Sequence, residues 1–300
     1  MVKRSMSRTS KHMTGKLWGW KQEFQDLMLG LAGAAIFGTP LIFTMEMWEK
    51  GAQLSHGFLL GLLASAMLIN TCFGFLSGLR DHNSFPGAIS DSITAIGIGI
   101  LFSATVLWLI GVLDPKLSQT AGVGTVLFLG LTVSVGVTFV NSQLRDRSRS
   151  GEDEVKDLNG DDQDPQSKQL RADLMDAAAT LIGSTIFAFA IAPTEEVLVI
   201  ASRLSNGELL LLLCVELILC YIIMFASNLE NHQVYVKDSI LQHPVAETLM
   251  ATSLSLVVSM LLLLGFGFDE TMASLSTFLP CVVVLGFSAV VGGAAGRVIV

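Results

Sequence analysis

The chain has 300 residues, of which 51% are hydrophobic and only 15% charged, and its formal net charge is -8. An ordinary soluble domain carries roughly 25% charged residues, so the composition excludes a water-soluble globular protein and predicts an all-α polytopic membrane protein. The basic residues lie near helix ends without interleaved aromatics, which gives nucleic-acid binding no support.

Residues 1–21 form a basic segment, with Lys3, Arg4, Arg8, Lys11, Lys16 and Lys21, expected to be a cytoplasmic N-terminus. Sustained hydrophobicity begins only after it and runs far past the length of a signal-peptide core, so the first span is expected to stay as an anchor. Runs near the ~20 apolar residues that cross a bilayer occur at about 25–48, 57–79, 88–113, 120–141, 174–200, 207–229, 245–268 and 273–297. Lipid leaves every backbone polar group to be satisfied within its own segment, so these runs predict eight transmembrane helices. Four would fall in residues 22–142 and four in 173–300, separated by a charged, disordered cytoplasmic linker over 143–172.

That linker holds most of the acidic excess, with Glu152, Asp153, Glu154, Asp157, Asp161, Asp162 and Asp164. Its Asp157-Leu158-Asn159-Gly160-Asp161 run is similar to a calcium loop, but Val155 and Gln166 stand where ligands are needed, so a solvated spacer is expected. Of the 18 Lys and Arg, only Lys50, Lys116 and Arg203 fall in loops on the side opposite the N-terminus, so the positive-inside rule places both ends in the cytoplasm. The four cysteines, Cys72, Cys214, Cys220 and Cys281, all lie in apolar segments without metal or disulfide spacing.

The two halves match each other. At an offset of 150, Gly33, Ile36, Phe37, Thr44, Glu46, Leu54, Ser55, Gly57 and His82 meet identical residues at Gly183, Ile186, Phe187, Thr194, Glu196, Leu204, Ser205, Gly207 and His232. At an offset of 156, Asp91, Ala95, Ser103, Leu129, Gly130 and Gly136 meet Glu247, Ala251, Ser259, Leu285, Gly286 and Gly292. Four spans per half is an even number, so the expected architecture is a parallel 4+4 internal repeat with a pseudo-two-fold axis along the membrane normal.

The matched Glu46 and Glu196 are the leading functional residues, because an ionisable group in a span is costly, by roughly 2.5 to 3.5 kcal/mol on insertion scales. With helix ends near Gln53 and Arg203, both would lie about seven residues below the outer surface. Glu195 is unique to the second half, as is Glu216, whose first-half match is Ala66. Asn70, Thr44 and Thr194 offer neutral oxygens, and Pro40 and Pro193 free carbonyls that can act as hinges. No Lys or Arg within the spans is expected to pair these acids, so they are protonated, share a proton or bind a cation. Glu46 and Glu196 are the expected metal ligands, since hard cations prefer such oxygens. The alternative is that each acid stays protonated and serves as interhelical hydrogen-bond glue.

Asp91 and Glu247 begin helices on the inner side. They suit either a helix dipole or an inner gate. His82 and His232 fall in inner loops, where a solvated role is the default. Gly30, Gly33, Gly97, Gly99 and the run from Gly292 to Gly296 point to close helix packing.

Ala192-Pro193-Thr194-Glu195-Glu196 is superficially similar to the paired-glutamate motif of CAAX-type intramembrane proteases, but the arginine that should follow is missing and the histidines fall in loops. There is no HExxH, GxSxG or phosphate loop, and no enzyme is expected.

Gly38-Thr39-Pro40-Leu41-Ile42-Phe43-Thr44-Met45-Glu46-Met47-Trp48 and Ala192-Pro193-Thr194-Glu195-Glu196 resemble the hallmark segments of a family of bacterial integral membrane proteins of unknown function. The resemblance covers about residue 22 to the end and implies a multi-pass protein of the bacterial inner membrane. It implies no activity. The expected function is transport of a divalent or proton-coupled cation through a carboxylate-lined site between the repeats, with a non-transporting scaffold or sensor as the alternative. The expected partners are the bilayer and an inorganic cation or proton, a homo-oligomer is compatible, and no cofactor beyond a bound cation is expected.

Overall fold

The computed structural model describes residues 6–76, 85–113, 119–154, 165–225, 244–266 and 275–299, and all regular structure among them is α-helical. In chain order the helices are α1 (Met6–Ile42), α2 (Met45–Gln53), α3 (His56–Leu76), α4 (Phe85–Leu109) and α5 (Gln119–Glu154). They continue as α6 (Pro165–Phe189), α7 (Glu196–Arg203), α8 (Asn206–Phe225), α9 (Pro244–Gly265) and α10 (Leu275–Ile299). Among the described residues, 7 helices are long and apolar enough to cross a membrane: α1, α3, α4, α5, α8, α9 and α10. Large side chains such as Leu60, Leu101, Leu210 and Leu275 lie exposed on these helices, as expected where the surrounding solvent is lipid.

Two of the eight expected spans are interrupted. The first ends as α1 at Ile42 and resumes as α2 at Met45. The fifth ends as α6 at Phe189 and resumes as α7 at Glu196, and α6 is not among the 7 candidate spans. The expected helix ends nevertheless stand, since α2 closes at Gln53 and α7 at Arg203. Pro193 explains the second break: it lacks an N–H and its ring crowds the carbonyl four residues earlier, at Phe189, where α6 stops. The first break falls later relative to its proline. Pro40 is accommodated inside α1, and the helix gives way at Thr44, whose φ of -114 and ψ of 115 are extended.

The helices also reach further into polar sequence than expected. The backbone of α5 runs to Glu154 and that of α6 begins at Pro165, so helix occupies both flanks of the expected linker. Arg, Glu and Gln there are good helix formers, and proline suits a first helical position. The centre of the linker, like His82 and His232, lies outside the described residues.

Packing within the first half joins α1, α3, α4 and α5, with α2 against α5; within the second it joins α6, α8, α9 and α10, with α7 against α10. Contacts between halves run from α1 to α8 and α10 and from α4 to α8. Phe43, in the first break, stacks on Phe287 of α10 with ring centroids 5.3 Å apart. Among the described residues α6 and α10 approach closely, so that a Cβ at Gly183 would strike the Gly292 carbonyl and one at Gly296 would strike that of Ala179. Glycine is required here because backbone meets backbone.

Several local contacts occur twice at the offsets of the sequence. Gly136 abuts Phe37 and Gly292 abuts Phe187, while Gly130 abuts Ile100 and Gly286 abuts Leu256. The Thr44 N–H donates to the Leu41 carbonyl and that of Thr194 to the Ile191 carbonyl. Ser55 Oγ accepts from the Phe58 N–H at the start of α3, and Ser205 Oγ from the Glu208 N–H at the start of α8.

Candidate functional site

The two interruptions bring the two glutamate motifs into contact. At the first, the carbonyl of Ile42 has lost its helical partner and instead accepts the indole N–H of Trp48 at 2.6 Å. The Thr44 hydroxyl turns back to the Pro40 carbonyl at 2.8 Å, within the stretch that the proline disturbs. At the second, the Thr194 hydroxyl donates to the Ile191 carbonyl at 2.6 Å, and the Ala192 N–H reaches the Ala188 carbonyl at 2.7 Å. These local bonds satisfy groups that a broken helix would leave unpaired in lipid.

Because each break falls just before its glutamate, Glu46 and Glu196 stand in the first turns of α2 and α7, where an N-terminal helix dipole favours negative charge. Their surroundings differ. Glu196 is buried and its Oε1 accepts the Met45 N–H at 3.3 Å, so a side chain of the second half caps a helix of the first. Glu46 and Glu195 are exposed, as is Pro193, while Thr44, Thr194 and Pro40 are half-buried.

Glu216 occupies a different setting. It is 1% exposed in the middle of α8, and neither carboxyl oxygen has a hydrogen-bond partner among the described residues. It faces Gly286 of α10: a Cβ there would lie 3.4 Å from Oε2 and 3.8 Å from Oε1. A larger residue at 286 would fill the carboxylate's space.

Asn70 is not part of this group. Its Nδ2 donates to Ser134 Oγ at 3.0 Å, and its Oδ1 accepts from the Thr138 hydroxyl at 3.1 Å, forming a separate polar cluster between α3 and α5. Among the described residues, no group of three or more His, Cys, Asp and Glu could hold a metal ion.

Glu247 has a cationic partner: Arg297 Nη2 lies 3.5 Å from its Oε2 and 2.6 Å from Asp176 Oδ2. The guanidinium side chain is only 7% exposed. Asp176 has an acidic match at Asp26, 150 residues earlier, a signal in the sequence that points to it. Asp91, half-buried on α4, matches Glu247 at the offset of 156, but the residue matching Arg297 is Asn141.

The family model described as "Putative integral membrane protein (DUF2391)" matches residues 26–300. The chain belongs to that family. Members of the family are thus integral membrane proteins by description, which agrees with the exposed apolar helices and the 7 candidate spans. No curated protein and no solved structure matches the chain.

Proposed function

We propose that the protein moves a cation across the bacterial inner membrane, and that the cation is a proton. Glu216 carries the reading: a carboxyl group sealed within a membrane helix, without a hydrogen-bond partner among the described residues, holds a proton at rest and is costly to keep there, which favours a role in carrying that proton. A lone carboxylate suits one proton, whereas calcium takes six to eight oxygens. The broken helices at Thr44 and at 190–195 fit the same reading, since interrupted helices in transporters place polar groups at membrane depth.

The architecture of this reading is a parallel 4+4 repeat, with α1–α2 and α6–α7 as the interrupted first crossings and both chain ends in the cytoplasm. The repeated offsets, the twin breaks and the twin contacts of Gly136 with Phe37 and Gly292 with Phe187 support it. The bond from the Met45 N–H to Glu196 favours a second, structural reading for that glutamate alone.

The test is proton flux in proteoliposomes carrying a trapped pH dye, with the full chain and with Glu216→Gln. Flux that Glu216→Gln abolishes supports the reading. A silent wild type, or a fully active Glu216→Gln, sinks it.

A further inference from the structure

The residues around Glu216 differ from their first-half counterparts in one consistent way. One turn along α8, Cys220 is fully buried, and its Sγ lies 4.0 Å from the Thr248 carbonyl of α9. The Cys220 thiol lies within reach of the Thr252 hydroxyl, and its Sγ is 3.5 Å from Met224 Sδ. Thr252 Oγ1 is itself buried without a close hydrogen-bond partner. Next to it on α9, Ser255 pairs with Ser184 of α6 at 2.8 Å, both fully buried. Gly293 of α10 leaves room for that pair, since a Cβ there would lie 2.5 Å from Ser184 Oγ and 2.7 Å from Ser255 Oγ. At the inner end stand Arg297, Asp176 and Glu247, with Asp173 close enough to act on Glu247.

In the first half the matching positions are Ala66 for Glu216, Ile96 for Thr252, Gly99 for Ser255, Ala34 for Ser184 and Asn141 for Arg297. Every one removes an ionisable or hydroxyl group, or a cation. Asn70, which replaces Cys220, is bonded away to Ser134 and Thr138. The stretch from Glu216 through Ser184 therefore belongs to one half, while the acids at its end, Asp173, Asp176 and Glu247, have acidic matches at Glu23, Asp26 and Asp91.

We propose that the proton path runs inside the second half, from Glu216 past Cys220 and Thr252 to the inner face, and that the Asp176–Arg297–Glu247 ion pairs close its inner mouth. This rests on the transport reading and deepens it. On this proposal the stacked rings of Phe43 and Phe287, where the halves meet, belong to a seal and not to the conduit. Each hydroxyl on the line can accept a proton on a lone pair while releasing its own, so no group changes its covalent state after a full passage. Arg297 stands at the mouth as a fixed positive charge, which repels an incoming proton until its carboxylate partners let it move aside.

The experiment is proton flux through the full chain in proteoliposomes, with each variant first shown to unfold cooperatively above the assay temperature. Thr252→Val keeps the shape and removes the hydroxyl, and is expected to lower flux by about tenfold or more. Arg297→Gln is expected to raise flux several-fold, and Asp176→Asn, which loosens the same latch, gives a smaller rise if Arg297→Gln does not fold. Thr105→Val, on the lipid-facing side of α4, is expected to leave flux within about twofold. Flux that needs Glu216 but is unchanged by Thr252→Val overturns the path and leaves transport standing. Lowered flux in folded Arg297→Gln or Asp176→Asn overturns the latch. A silent wild type overturns the transport reading and the path with it.

Discussion

Glu196 accepts the backbone N–H of Met45 at 3.3 Å, so the carboxylate that opens α7 also caps α2 in the other half of the molecule. Its sequence mate Glu46 is exposed, so the two acids are unequal in a membrane protein whose motifs make them look equivalent.

Removing the cap tests this inequality. Glu196→Ala is expected to cost about 1 to 2 kcal/mol, because it orphans an N–H and removes a capping acid. Glu196→Gln keeps a carbonyl acceptor and should cost less, while Glu46→Ala should fall within about 0.5 kcal/mol of wild type. Thermal unfolding in detergent reads all three, and equal losses for the two alanine variants would contradict the geometry.

Trp48→Phe isolates the repair of the first break. It keeps most of the buried ring but withdraws the N–H that serves the Ile42 carbonyl, for an expected loss of about 1 kcal/mol. A melting temperature unchanged from wild type would show that the Ile42 carbonyl does not need it.

Two glycines predict opposite signs for one substitution. Gly183→Ala drives a methyl into the Gly292 carbonyl and should cost about 1 to 3 kcal/mol. Gly97→Ala meets nothing within 4 Å on α4, and should gain roughly 0.5 to 1 kcal/mol from helix propensity. Denaturation of the pair in one detergent compares them directly.

Arg297 should matter more than either of its partners. Arg297→Met leaves Asp176 and Glu247 facing each other without their cation, and is expected to cost about 2 kcal/mol or more. Asp176→Asn should cost less, because the Asp176 side chain is 45% exposed and Glu247 remains to hold the guanidinium. If the two variants melt together, the pairs are not carrying the inner end.

Asn70→Leu separates the polar cluster of the first half from Glu216. It strands the Ser134 and Thr138 hydroxyls, which can fall back on their own helix carbonyls, so the expected loss is about 1 to 2 kcal/mol with no change in proton flux. A loss of flux at unchanged stability would place Asn70 on the path after all.

Much of the fold is legible from hydropathy alone, because length and apolarity decide for helices in lipid, and the outer ends at Gln53 and Arg203 follow from where polar residues return. The breaks are less legible. Pro193 ends its helix and Pro40 does not, and the difference depends on whether neighbours such as Trp48 stand ready to take a freed carbonyl. The prominence of Glu46 and Glu196 is visible as a repeat, but their unequal burial depends on how the start of α2 meets α7 and how α1 meets α10. Asp176 and Arg297 escaped notice for another reason: each sits at a polar fringe that reads as ordinary membrane-edge charge, and only packing of α6 against α10 joins them. Glu216 was visible because it interrupts a leucine run, and the missing match at Ala66 was the one trace of the line that follows it.

The glycine contact between α6 and α10 also limits how the molecule can change shape. Side chains can swap rotamers to let helices slide, but at Gly183 and Gly292 there are none to swap. These two helices must travel as a single strut. If the transport proposal holds, a rearrangement that exposes Glu216 to one face and then the other would fall to α8 and α9, moving against a fixed post.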